Sequence, residues 1–384
     1  MKKYLLGLAV LMMGTVVMTS CSDDDDPAPA GEKSWYAKGA YVVNSGNMYN
    51  NIESSLTAID YATSTATQGI FKSVNGRSLG NTANDGLVYG DKMYIAVDQS
   101  NTIEVLDKNT KKSIKQVSTT ALLGDMDGQE PRHIIANGGQ IYFTTYGGYV
   151  AAIDTTSFAL QAKYQVGNYP EGLAVDGSLL YVANSNYALG GGNLSCINLA
   201  TGNVTTKNIE GINNPTSIYS VQDELFVIDQ TYYDASFNTF GENALKSVDF
   251  EKGTSTKLVD GNMAALFVAP ATTRSNYYTS NSCFYVINAP YGGETTYSTY
   301  NVRTHETATL TLSEAPFSPA GIGVDPLTGD IFILSYNKGD GGYADYSGNS
   351  YVLQYQNNGV LLNKYNVGVG ACSIFFDSDL RTVN

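Results

Sequence analysis

Ile59-Asp60, Leu106-Asp107, Ile153-Asp154, Ile197-Asn198, Val248-Asp249, Tyr300-Asn301 and Tyr355-Gln356 are seven copies of one phrase: an apolar residue, then Asp, Asn or Gln, then a polar turn. Their polar residues stand 47, 47, 44, 51, 52 and 55 positions apart. That period is the length of one four-stranded blade after another in a β-propeller. The spacing predicts an all-β chain folded as a seven-bladed β-propeller.

An apolar strand precedes each later phrase: Met93 to Val97, Ile141 to Thr144, Leu180 to Ala183, Leu225 to Ile228, Phe284 to Ile287 and Ile331 to Leu334. Runs of β-branched and aromatic residues bounded by turn residues are strand chemistry. Ahead of these stand inner strands opened at Thr82, Pro131, Pro170, Pro215, Met263 and Pro319. Proline at a strand's first position costs no ladder hydrogen bond. The first unit lacks an inner strand, because Ala40-Tyr-Val-Val43 already reads as a second strand; Ala371 to Phe376 has the inner pattern and no blade of its own. The C-terminal strand is therefore expected to pair with the first blade and close the ring, leaving no sheet edge at the join. The sixth unit is the least regular, interrupted by a polar stretch from Asn262 to Asn281.

Before the repeat comes a removable address. Lys2 and Lys3, an apolar run from Leu5 to Val17 and Met18-Thr19-Ser20-Cys21 read as a secretory signal rather than a membrane span. Residues 1–20 are expected to be a lipoprotein signal peptide, with Cys21 the lipidated first residue of the mature protein; plain cleavage at a nearby small residue is the alternative. Residues 21–34, with Asp23 to Asp26 and two prolines, cannot bury apolar surface and are expected to form a solvated tether. Residues 35–384 are assigned to the propeller.

The net charge of −14 becomes −16 when Lys2 and Lys3 leave with the leader. An acidic body lacks the Lys/Arg patch that nucleic acid or an anionic membrane would demand, so no nucleic-acid partner is expected, and contact with membrane only through the lipid. Cys196, Cys283 and Cys372 fall in three different units, the pattern of unpaired thiols rather than a disulfide framework. No set of Cys, His and carboxylate residues has zinc-site spacing.

In a propeller, the loops between second and third strands and the loops between blades emerge on one face, around the mouth of the central channel. Here those second-to-third-strand loops are rich in tyrosine and amide side chains. Tyr49, Asn50, Tyr146, Tyr187, Tyr232, Tyr233, Tyr291, Tyr343 and Tyr346 are the candidate ligand contacts. Tyrosine offers a broad apolar face, one hydroxyl and few rotors to freeze. Any one of these rings is as open to packing on a neighbouring blade as to touching a ligand; the ring of them together points to binding.

At the inner-strand starts stand Asn84-Asp85, Arg132-His133 and Glu171. Arg132 could anchor a phosphate or carboxylate and His133 could ligate a metal carried by the ligand, but internal hydrogen bonds to neighbouring blades rank above either role. His305 is expected on the opposite face. Gly76-Arg-Ser78-Leu-Gly80 matches G-x-S-x-G without the strand-turn-helix a nucleophile elbow requires. Asp125, Asp127 and Glu130 have the oxygen density of a weak calcium loop without its twelve-residue spacing.

Tyr181-Val-Ala-Asn184, the Ile-Asp and Ile-Asn phrases and turns such as Asp325-Pro-Leu-Thr-Gly329 resemble the YncE-like seven-bladed propellers. With the lipidated acidic tether, which resembles a surface-export signal of Bacteroidetes lipoproteins, the chain is similar to the BtuG-type cobalamin-binding propellers. That resemblance implies a non-enzymatic outer-membrane lipoprotein facing the cell exterior, with no permanent cofactor, that binds cobalamin or another corrinoid and passes it to a TonB-dependent transporter. Two alternatives remain open. One is a glycan-binding or protein-docking propeller; the other is a metal-dependent lactonase or lyase, whose mouth cluster Asp85, Arg132, His133 and Glu171 meet only in part.

Overall fold

In the computed structural model the described residues are 32–186, 189–234, 236, 238–268 and 282–383. They form seven four-stranded antiparallel sheets and one small two-stranded hairpin. Blades 2 to 7 are contiguous, with inner strands Ala83–Tyr89, Pro131–Asn137, Pro170–Asp176, Pro215–Val221, Met263–Phe267 and Ser318–Val324. Blade 1 takes its inner strand from the other end of the chain: Glu32–Asn44 pairs with Ala371–Val383 on one side and with Ser55–Asp60 on the other. Seven blades and the terminal closure are as expected. The first strand begins at Glu32, three residues inside the stretch read as tether. Residues 1–31, including Cys21, lie outside the described residues.

The recurring phrase has a local cause. The carboxylate of Asp154 accepts from the backbone N–H groups of Thr156 and Ser157 at 3.0 and 2.6 Å, closing the turn that follows the third strand. Asp107 and Asn198 do the same two and three residues on. Short Asp and Asn side chains reach their own backbone in this way, so the turn selects them. Gln356 is too long, and in blade 7 the amide of Asn358 makes the equivalent bond to Val360 at 3.1 Å.

The core is divided among the gaps between successive blades. Seven buried apolar clusters fill the seven gaps, for example Val42, Ile59, Phe332 and Val352 between blades 7 and 1. Each blade therefore buries both faces against its neighbours, and closing the ring leaves no blade with a bare face. Polar ties cross the gaps as well: Tyr61 donates to Asp325 at 2.9 Å between blades 1 and 7, and Lys108 meets Asp377 at 3.0 Å between blades 2 and 1. Among the described residues α-helix is confined to two short inter-blade turns, Ile70–Asn75 and Thr119–Leu123, with single 3-10 turns at Met48–Asn50 and Asp340–Gly342 in the loops after second strands. Among the described residues no helix is long and apolar enough to cross a membrane.

Candidate functional site

Six of the seven inner strands carry a register shift close to their start, at Asn84, Arg132-His133, Glu171-Gly172, Thr216, Ala320 and Cys372. A β-bulge leaves an extra residue unpaired and re-aims its side chain. All of these residues line a single cavity of about 910 Å³ at the mouth of the central channel. Loop residues Tyr146, Ser185, Asn214, Gln230, Thr231, Tyr232 and Tyr233 complete its wall.

The side built by blades 1 to 4 is charged. Arg132 donates to Glu171 through Nε at 3.0 Å and Nη2 at 3.3 Å, and to Asp98 through Nη1 at 2.6 Å. The ring of Tyr146 lies under the guanidinium, 4.6 Å from Cζ to centroid, and its hydroxyl donates to Glu171. His133 Nδ1 donates to Asp85 at 3.1 Å, and its Nε2 lies 3.5 Å from Glu171. Asp85 also accepts from Ser373 of the C-terminal strand at 2.9 Å and from the Gly86 and Ile134 backbone at 2.8 and 3.2 Å. One connected network thus spans blades 1, 2, 3 and 4. The side built by blades 5 to 7 carries no charge: apolar Ile218, Met263, Leu266 and Ile322 alternate there with Thr216, Ser217, Gln230 and Asn262.

Burial pulls the His133 imidazole down, but its hydrogen bonds to Asp85 and Glu171 reverse this and hold it at about 9. Burial pushes Glu171 up, and the Arg132 charge with the His133 hydrogen bond overcomes this and takes it down to about 2. At neutral pH both groups are charged. A protonated imidazole with both nitrogens engaged has no lone pair for a metal, so His133 as metal ligand is set aside, and Arg132, held by two carboxylates, is a strut rather than a free anion anchor. Internal bonding, ranked first for this pair, is what the structure contains.

The predicted tyrosines separate into two groups. Tyr146, Tyr232 and Tyr233 reach the cavity. Tyr49, Tyr291, Tyr343 and Tyr346 do not line it; they stand on the surrounding face, 90%, 97%, 78% and 58% exposed. Asn50 also sits on the rim, bonded to Ser347 of the blade 7 loop, and Asn47 donates to the Tyr346 carbonyl at 2.9 Å. Tyr187 lies outside the described residues. Exposed Met48, Met126, Leu189, Phe240 and Phe317 also belong to loops on this face.

Tyr232 belongs to a small hairpin, Tyr232–Tyr233 with Thr239–Phe240, and its ring stacks on Phe240 at 5.4 Å. The same ring rests against Gly190 of the blade 4 loop, where a Cβ would come within 2.2 Å of it and where φ is +69°. Only glycine satisfies both the close approach and the left-handed backbone.

Asp127 is paired with Lys163 at 2.6 Å, and among the described residues no group of three or more His, Cys, Asp or Glu side chains is placed to hold a metal ion. Ser78 accepts from Gly80 N–H within the inter-blade loop, and Arg77 meets Glu104 at 2.7 Å. His305 is exposed after the third strand of blade 6, on the face opposite the mouth. Cys196, Cys283 and Cys372 are free and half-buried, and burial pushes all three thiols up, Cys283 to about 11 and Cys372 to about 12.

A family model described as "Domain of unknown function (DUF5074)" matches residues 38–374, the whole ring from the first strand to the closing one. The chain belongs to the DUF5074 family. No curated protein matches the sequence significantly. Among solved structures, this DUF5074 protein is similar to the "putative 6-phosphogluconolactonase" of Bacteroides uniformis, with TM-score 0.58 and 12% identity over 89% of this chain and 100% of that one. It is also similar to a chain of Kuenenia stuttgartiensis hydrazine synthase, with TM-score 0.53 and 11% identity over 78% of this chain and 95% of that one. At such identities the likeness shows the fold alone.

Proposed function

We propose that this DUF5074 protein is a lipid-anchored, surface-exposed binding propeller that captures a nutrient at its channel mouth, cobalamin or another corrinoid first among the candidates, and delivers it to a TonB-dependent outer-membrane transporter. The observation that carries the reading is the two-sided cavity at the mouth, charged on one wall and uncharged on the other, where apolar, hydroxyl and amide side chains mix, set in a face crowded with exposed aromatic rings. Concave sites with a few fixed polar groups and apolar walls are where ligands bind. Exposed aromatic side chains gathered on one face mark an interaction surface. A corrin is a rigid disc with peripheral amides, and tyrosine faces beside amide side chains and backbone groups suit it. The leader, Cys21 and the acidic run support anchoring and export.

One second reading has its own support: the nearly bare rings of Tyr49 and Tyr291 suit stacking on sugars. A catalytic reading as a metal-dependent lactonase or lyase gains less, because Asp85, His133 and Glu171 are already bonded to one another. Adding purified protein to cyanocobalamin, with a glycan array and metal analysis alongside, separates the three. Corrinoid retention supports the proposal. Glycan capture without corrinoid retention, or a stoichiometric bound metal with lactone turnover, replaces it.

A further inference from the structure

The closing ribbon of blade 1 is longer than the blade. Glu32–Asn44 and Ala371–Val383 each run thirteen residues, whereas the other inner strands have five to seven. Only Gly39 to Asn44 is paired with the third strand Ser55–Asp60; Glu32 to Ala37 pairs solely with Ser378 to Val383. Six residue pairs therefore continue past the sheet as a two-stranded stalk. The chain enters Glu32–Asn44 at the stalk end and leaves it into the rim loop containing Tyr49, so the stalk stands on the face opposite the rim.

We propose that the anchored protein meets its membrane with this stalk-bearing face and holds the aromatic rim and channel mouth away from the lipid. The inference rests on the reading of Cys21 as the acylated residue. Twelve strand steps from Glu32 to Asn44, at roughly 3.3 Å each, put the rim about 40 Å beyond the point where the tether joins. Eleven steps from Cys21 to Glu32 reach at most about 36–40 Å fully stretched. Laying the rim on the membrane would require the tether drawn out to its limit along the flank of the body, with the loops beyond Asn44 still to clear. The attachment point decides the orientation. A transporter in the same membrane can then meet the mouth only from the side or through loops that rise well above the lipid.

The test uses full-length acylated protein in phosphatidylcholine vesicles that carry an acceptor dye in the headgroup layer. A donor is placed on Y291C, at the rim of blade 6, or on H305C, on the opposite side of the same blade; the native thiols are half-buried and pushed up by burial, so labelling near pH 7 favours the new cysteine. Energy transfer at least twofold greater from position 305 than from 291 supports the proposal. Equal or reversed transfer, with protein that floats with the vesicles, overturns the orientation and leaves the anchor standing. Acylated protein that does not float overturns the anchor and this inference together.

Discussion

Arg132 of blade 3 and Glu171 of blade 4 are joined by two parallel hydrogen bonds, of 3.0 and 3.3 Å, in the wall of the channel. Neither residue is near the other in sequence, and both stand in the bulges that open their strands. The Glu171 side chain is 8% exposed and the Arg132 side chain 19%. Removing one partner of such a pair leaves the other charge uncompensated. Glu171→Gln is expected to cost about 3 kcal/mol, read as a lowered urea midpoint with unchanged slope. A midpoint that does not move would show that solvent already carries the Arg132 charge.

The same network has a pH optimum. His133 is raised from 6.5 to about 9, so its contribution is complete below pH 6.5 and is lost as pH climbs through 9. Glu171 is lowered from 4.5 to about 2, so its contribution is complete above pH 4.5 and is lost as pH falls through 2. Stability from these two groups is greatest between about pH 4.5 and 6.5. Thermal melts from pH 3 to 10 should decline on the alkaline side, and His133→Gln should flatten that limb. An alkaline limb of the same slope in wild type and variant contradicts the assignment.

Phe375 packs the closing strand against its neighbours. Its ring packs against Tyr41 at 5.3 Å, and a Cβ on Gly86 would meet it at 2.4 Å, so it wedges the C-terminal strand against blade 2. Phe375→Ala is expected to cost about 3 kcal/mol or more. Truncation after Gly370 exposes the whole edge of the first strand and should yield insoluble protein. A soluble truncated protein with a cooperative melt would refute closure by the C-terminus.

Because both His133 nitrogens are engaged, a corrinoid bound here keeps its own axial ligands. The visible spectrum of aquocobalamin with the protein should show no histidine-ligated band between pH 6 and 7. A histidine-type spectrum abolished by His133→Ala would mean that the network opens to bind.

How far the sequence reveals all this follows from how local each interaction is. Asp154 bonds to residues two and three positions away, so its turn, and with it the repeat, is legible in one dimension. Asp85 bonds to His133 and to Ser373, 48 and 288 positions away, and such partners become neighbours only once the ring closes. Asp98, in the loop after a second strand, carries no signal that it serves Arg132. The loop tyrosines are legible as loop residues, yet whether a ring reaches the cavity, as Tyr233 does, or points outward, as Tyr291 does, depends on loop shape. The apolar part of the uncharged wall is hidden differently: Met263, Leu266 and Ile322 look like ordinary strand residues until the inner strands are set around an axis.

The Tyr232 ring seated on Gly190 holds the hairpin at the mouth. Gly190→Val should displace that hairpin, weakening ligand binding tenfold or more while the melting midpoint moves little. Equal loss of binding and stability would make the contact structural only.

The central proposal is that the channel mouth binds a corrinoid with Tyr232 and Tyr233 among the contacts. Calorimetric titration of cyanocobalamin into wild type and into the Tyr232→Ala, Tyr233→Ala double variant tests it most directly. The account predicts one-to-one binding at micromolar concentration or tighter, weakened at least tenfold in the variant. No heat with wild-type protein, or equal affinity in the two, would contradict it.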